Sequence, residues 1–202
     1  MKILNVIKNI DEITGGGATE RTRQLCYHFS KLGHEVTLLT TNHNFSALND
    51  PSLGRIKIIA IPLIVKRFFV PLPFFLTINN AVKQADIVHL VSHWSLINAI
   101  VYLFLRIHKK PYAVSPLGAL PIFGRSILIK KLYNFVVGTD IIRKANICVV
   151  PTLDEISALS SYGVDKSSVA HIPNGINEDD YLIKDDSSLI EEVGIKDKYP
   201  FI

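Results

Sequence analysis

Along the chain, short β-branched and aliphatic runs alternate with longer stretches whose apolar positions recur at helical spacing. The runs predict strands over Ile3–Ile7, Glu35–Thr40, Ile56–Ile61, Ile87–Val91, Tyr112–Ser115, Ile147–Val150 and Val169–Ile172. They are nearly continuous in apolar character, as strands covered on both faces of a parallel sheet are. The helical spacing predicts helices over Thr19–Leu32, Phe75–Gln84, Ser95–His108, Arg125–Lys144 and Leu153–Tyr162. Gly33 and Gly163 stand where C-terminal caps belong, and Thr152 with Glu155 has capping-box spacing. Repeated strand–helix–strand units imply right-handed crossovers and a doubly wound, mostly parallel Rossmann-like α/β sheet.

At 202 residues the chain has the length of one domain or slightly more. Its 48% hydrophobic and 20% charged content excludes disorder, a collagen-like or coiled-coil rod and a disulfide scaffold. Cys26 and Cys148 both lie in apolar runs, which suits buried free thiols in a reducing compartment better than a catalytic pair. Met1–Ile7 lacks a signal-peptide layout and reads as a strand from the outset. The most apolar stretches are broken by Pro62, Pro71 and Pro73 or are half the length a bilayer requires. A cytoplasmic chain, peripheral on the inner face of a membrane at most, is the expectation.

Charge is unevenly distributed. The net value is +4. Residues 55–150 hold thirteen basic side chains against Asp86 and Asp140, whereas residues 151–202 hold four against eleven acidic ones. A basic middle interleaved with Val65, Phe68 and Phe69 suits an anionic membrane surface or an anionic lipid-linked substrate; solvated helix faces would produce the same count. No recognition motif for nucleic acid accompanies the charge.

In such sheets ligands bind beyond the carboxyl ends of the strands, so the residues after each strand carry the functional signal. After the first come Gly15, Gly16 and Gly17, followed by Glu20 and Arg21 at the start of a helix. Glycines there let backbone N–H groups approach an anion, with the helix dipole adding to the attraction. Counting from Gly15, a nicotinamide fingerprint requires glycine where Glu20 stands. It also requires an acid at the end of the second strand, where Asn42 is found, and no phosphate-loop Gly-Lys-Ser/Thr follows. The turn suits a phosphate or a sugar.

After the fourth strand, His89 falls inside the sheet and reads as a satisfied core histidine. His93 and Trp94 fall at the exit, where an imidazole can act as a base or bond a hydroxyl and an indole can stack on a sugar ring. A capping or surface role suits His93 equally well. After the fifth strand, Leu117 and Gly118 lie in a tight loop, followed by the cations Arg125 and Lys130. These can hold an anionic acceptor or simply line a solvated helix. Asn174-Gly175 after the last strand is a turn dipeptide.

Taken in order, these segments resemble glycosyltransferase family 4. Residues 15–21 (GGGATER) with 32–37 (LGHEVT) resemble the family's opening, 85–90 (ADIVHL) its internal strand, and 172–176 (IPNGI) its hinge. The resemblance implies the N-terminal, acceptor-side half of a GT-B fold at residues 1–176. Residues 177–202 are then an interdomain linker and the start of a donor-binding domain that the sequence does not contain. It further implies a retaining transferase that moves a sugar from a nucleotide sugar, used as co-substrate, to a saccharide or lipid-linked acceptor, with no cofactor and no metal. Asn174 and Gly175 would be the hinge, and Gly15, Gly16, Gly17, Glu20, Arg21, Trp94, Leu117, Gly118, Arg125 and Lys130 would face substrate or phosphate. Where the family often carries a histidine or arginine in the fifth-strand loop, this chain has Leu117, so either another residue contributes, with His93 the catalytic candidate, or this branch manages without one. With one half of the cleft, the chain alone is expected to be inactive. The alternative is a non-catalytic Rossmann-like scaffold half that pairs with a separate catalytic chain.

Overall fold

The computed structural model describes residues 1–42, 56–65, 69–124 and 126–175. Arg125 and the expected linker at 177–202 lie outside the described residues. Along the chain the elements are β1 (Lys2–Val6), α1 (Glu12–Lys31), β2 (Glu35–Thr41), β3 (Lys57–Ile61), β4 (Leu63–Val65), β5 (Val70–Pro71) and α2 (Phe75–Gln84). There follow β6 (Ile87–Val91), α3 (Leu96–His108), β7 (Tyr112–Ser115), α4 (Ile127–Tyr133), a π-helical turn (Asn134–Gly138) and α5 (Thr139–Arg143). The last elements are β8 (Ile147–Val150), α6 (Glu155–Ser161), a 3₁₀ turn (Lys166–Ser168) and β9 (Val169–His171).

Among the described residues, seven strands form one sheet in the order β3-β2-β1-β6-β7-β8-β9. Every pairing in it is parallel. This is the doubly wound Rossmann-like fold that the sequence predicts. The strand order reverses at β1, which pairs with both β2 and β6; a crevice at that point is where such sheets take ligands. β7 is buried at all four positions, which accounts for its continuous apolar character.

The sheet divides the core in two. On one side Leu4, Val6, Leu39 and Val88 meet α2, α3, α5 and α6 through Ile78, Val101, Ile142 and Leu159. On the other, Ile7, Val36, Leu38 and Val91 meet α1 through Cys26. α3 buries Ile97, Val101 and Leu105 at four-residue spacing, each contributing about 2 kcal/mol of transfer free energy. Both cysteines are buried, and burial pushes the Cys26 thiol up to about 12 and that of Cys148 to about 11.

Four details depart from the sequence reading. α1 begins at Glu12, seven residues before the expected Thr19, and is broken at Gly16. The span 125–144 is not one helix, because a π turn separates α4 from α5. A short antiparallel pair, β4 with β5, lies in the stretch whose prolines pointed only to a break. The capping box at Thr152 does not form: α6 starts after Asp154 with no side-chain cap, and Glu155 bonds elsewhere. Gly33 and Gly163 do close α1 and α6, both at positive φ.

Candidate functional site

The loops leaving β1, β6, β7, β8 and β9 share the carboxyl edge of the sheet. In the first, Gly16 has φ 57° and ψ −156°, a region that only glycine enters at low cost. A β-carbon at Gly16 or Gly17 would meet nothing within 4 Å, so the turn faces open space. Behind it the Asp11 N–H donates to Asn9 Oδ1 at 3.0 Å and the Thr19 hydroxyl to the Asn9 carbonyl at 3.2 Å. These bonds anchor the loop to the end of β1, and Gly16 and Gly17 are exposed. Gly15 lies in the first turn of α1.

Five residues past the break, Arg21 reaches across the edge. Its guanidinium donates to Asn174 Oδ1 and to the Ile172 carbonyl, the latter at 3.0 Å. Two residues singled out for different roles, one for substrate and one for a hinge, are thus bonded to each other. Gly175 follows, exposed. Burial draws the Arg21 guanidinium below its ordinary value, and Glu155 opposes this. In the sheet beneath, His89 bonds Asn5 Oδ1 at 3.0 Å and Ser115 Oγ at 2.8 Å, both ring nitrogens satisfied. Burial, with the Arg21 charge adding to it, holds His89 at about 4. His89 is the core histidine expected.

Leu117 and Gly118 form the turn after β7, at φ 53° and 71°. A leucine in the left-handed region is strained, and Ser92, at the end of β6, shares that strain at φ 67°. Glu155 at the start of α6 accepts from the Gly118 N–H at 2.9 Å. The carboxylate therefore joins the β7 loop to α6 and lies close enough to Arg21 to act on its charge.

His93 is placed differently from expectation. Only 1% of it is exposed. Its ring stands edge-on to Trp94, Tyr133 and Tyr162, with centroids at 4.4, 5.5 and 5.5 Å. Nε2 bonds Asn134 Oδ1 at 2.8 Å, and Asn134 Nδ2 donates to the Tyr162 hydroxyl at 2.7 Å, which donates on to the Leu120 carbonyl at 2.9 Å. Because Asn134 offers its oxygen, His93 carries its proton on Nε2, and Nδ1 is left buried without a partner. Burial depresses the imidazole to about 4, against the Asn134 bond, which raises it. The Tyr133 hydroxyl closes the cage by donating to the carbonyls of His93 at 3.0 Å and Ser95 at 3.2 Å. A cleft of about 520 Å³ opens alongside, lined by Leu120, Asn134, Thr139, Ser157 and Tyr162 among others.

The remaining candidates are held by neighbours. Lys130 donates to the Phe123 carbonyl at 2.9 Å and stands 5.6 Å over the Trp94 ring, which covers part of the indole expected to meet a sugar. Glu20 pairs with Arg23 at 3.0 Å and accepts from Gln24 at 2.7 Å on the outer surface of α1. Tyr133, Asn134 and Tyr162 carry no site signal in the sequence, and Glu155 carries only that of a helix cap. A helical wheel with 3.6 residues per turn misplaces the first two, because the Thr139 N–H bonds Asn134 five residues back. The signal available was Gly138, where a β-carbon would lie 2.6 Å from the Tyr133 ring.

A family model described as Glycosyltransferase Family 4 matches residues 15–180, most of the chain. The chain belongs to glycosyltransferase family 4. No curated protein matches the sequence. Among solved structures it is similar to Anabaena HepE in complex with UDP-glucose, at TM-score 0.72 and 13% identity, over 98% of this chain and 51% of that one. It is also similar to a UDP-N-acetylglucosamine 2-epimerase from Rickettsia bellii, at TM-score 0.57 and 12% identity, covering 97% and 52%. Another similar structure is the lipopolysaccharide outer core galactosyltransferase WaaB in its apo form, at TM-score 0.56 and 14% identity, covering 88% and 46%. At these identities the likeness concerns the fold, the half of a GT-B structure. The chain spans about half the length of these proteins.

Proposed function

We propose that this chain is the acceptor-side half of a retaining glycosyltransferase that moves a hexose from a nucleotide sugar to a saccharide or lipid-linked acceptor. The family match over residues 15–180 carries the reading. The Gly16–Gly17 turn supports it, an exposed backbone cradle at the point where the strand order reverses. Neighbours of the same fold bind UDP and UDP-glucose, which suits a uridine-type donor held across the cleft by a second half. Arg21, tied to Asn174 beside Gly175, links the turn to the hinge, so domain closure and anion binding share one side chain. His93 enters through Asn134, which lines the cleft, as a positioning residue. The reading places no metal or other cofactor on this half. It locates the enzyme in the cytoplasm, with peripheral contact to the inner face of a membrane through the basic segment 55–150. One half of a two-sided cleft has no turnover of its own.

The test is to follow the coding frame past Ile202 and assay the resulting two-domain protein with UDP-glucose and a panel of saccharide and lipid-linked acceptors. UDP release coupled to an α-glycoside, read by NMR at the anomeric carbon, is the expected result. A β-glycoside would end the retaining part. A frame without a second α/β domain, in a protein that transfers nothing, would end the enzyme reading.

A further inference from the structure

The segment after the β7 loop turns apolar side chains away from the core. α4 buries none of its residues. Leu128, Ile129, Leu132, Phe135 and Val136 are between 61% and 88% exposed, and Phe123 just before them is 68% exposed. Leu128 and Leu132 stand one turn apart on α4, and Phe135 and Val136 are exposed in the π turn that follows, while Tyr133 and Val137 pack against the core. A helix apolar on both sides, with one side already packed, leaves the other unpartnered. Six such side chains between residues 123 and 136 are exposed together, the kind of apolar surface that marks an interaction site.

Its charge is one-sided. From Pro121 to Thr139 the sequence carries Arg125, Lys130 and Lys131 and no acidic residue. Lys131 is exposed, and Lys130 holds the Phe123 carbonyl, fixing the start of the patch. α3, in the same helical layer, repeats the combination with Leu103 and Ile107 at 57% and 67% exposure beside the exposed Arg106 and Lys109. No helix among the described residues is long and apolar enough to cross a membrane. Apolar side chains accompanied by cations, with the next acid along the chain, Asp140, paired to Lys144, match an acyl boundary beneath anionic headgroups.

We propose that α4 and the π turn, residues 127–138, seat this protein on a membrane surface that carries anionic lipid. Leu128, Leu132, Phe135 and Val136 enter the acyl boundary, and Lys131 meets the headgroups. The proposal deepens the membrane contact named above by giving it an element. Vesicle binding is read without any sugar transfer, so it and the transferase reading fail separately.

The experiment is co-sedimentation of the full protein with phosphatidylcholine vesicles, with and without phosphatidylglycerol, alongside gel filtration. Binding that requires phosphatidylglycerol and falls about tenfold in a Leu128→Glu/Phe135→Glu variant supports the proposal. The variant should keep its thermal midpoint, since neither side chain is buried. Lys131→Glu should weaken binding less and reduce its sensitivity to salt. Absence of binding to either vesicle overturns the proposal, as does undiminished binding of the double variant. Equal binding to both vesicle types overturns the anionic part. A dimer that the double variant dissolves, without vesicle binding, assigns the patch to a second copy instead.

Discussion

The glycine turn after β1 and the aromatic cage around His93 occupy the same edge of the sheet and are held in opposite ways. The turn is fixed by backbone geometry, with one glycine in a conformation closed to other residues and open space in front of it. The cage is fixed by side chains, a chain of hydrogen bonds from His93 through Asn134 and Tyr162 to Leu120 inside packed rings. Substitutions at the turn should therefore alter what binds, at a stability cost limited to the backbone strain at Gly16. Substitutions in the cage should lower stability first and reach function only through the cleft that Asn134 lines.

The largest effect is expected at Gly16. Gly16→Val places a branched side chain in the space that an anion would occupy and forces a backbone conformation that valine resists. In the two-domain enzyme, transfer should become unmeasurable while circular dichroism stays native. Normal turnover would remove the role assigned to the turn.

On the cage side, acid should be the strongest perturbation. His93 is held at about 4 in the fold and titrates near 6.5 when unfolded. Between those values the unfolded chain binds the extra proton, so stability rises with pH across that window and is lost as pH falls through it. The full contribution, on the order of 3 kcal/mol, is present above pH 6.5. Urea titrations from pH 7.5 to 4 should show the decline, and His93→Phe should flatten it. His89 has the same direction and will leave a residual slope. An unchanged pH dependence in the His93 variant would show that the imidazole is not buried as described.

Gly138→Ala should follow, at about 1–3 kcal/mol from overpacking. Its β-carbon would collide with Tyr133 and Asn134, and neither is free to swing aside because both are hydrogen-bonded to residues of the His93 loop. The expected signature is a lower thermal midpoint together with a shift in the fluorescence of Trp94, which stands 5.7 Å from Tyr133. A silent substitution would mean that the cage is looser than its contacts suggest.

These contrasts also show what could be read from the sequence. The strands were legible because each is a short, nearly continuous apolar run, as the fully buried β7 shows best; β6, β7 and β8 begin and end where the pattern places them. The position of the glycine turn was legible because its three glycines are adjacent in the sequence. The cage was not, since the π turn inserts one extra residue per turn and rotates Tyr133 and Asn134 off the face that a regular helix assigns them. Arg21 and Asn174 are 153 positions apart, a pairing that no local spacing reveals. Glu155 misled because its distance from Thr152 fits a cap, while the Gly118 N–H, turned toward it by a positive φ, claimed it instead.

Arg21 and Glu20 sharpen the comparison at its lower end. Arg21→Ala removes the bonds to Asn174 and Ile172, which are exposed, so the stability cost should be about 1 kcal/mol. Limited proteolysis next to Asn174 should nevertheless accelerate. Glu20→Ala should cost about 0.5 kcal/mol or less, the value of an exposed ion pair one helical turn apart. It is a candidate substrate residue whose carboxylate is already committed to Arg23 and Gln24. A double-mutant cycle with Arg23→Ala separates the two uses. If Glu20 serves only the helix surface, both single variants and the double lose the same small stability, and transfer in the two-domain enzyme stays within twofold of the parent. A tenfold loss of transfer in Glu20→Ala alone, with stability unchanged, would extend the turn's contact with its ligand by one helical turn and place Glu20 inside it.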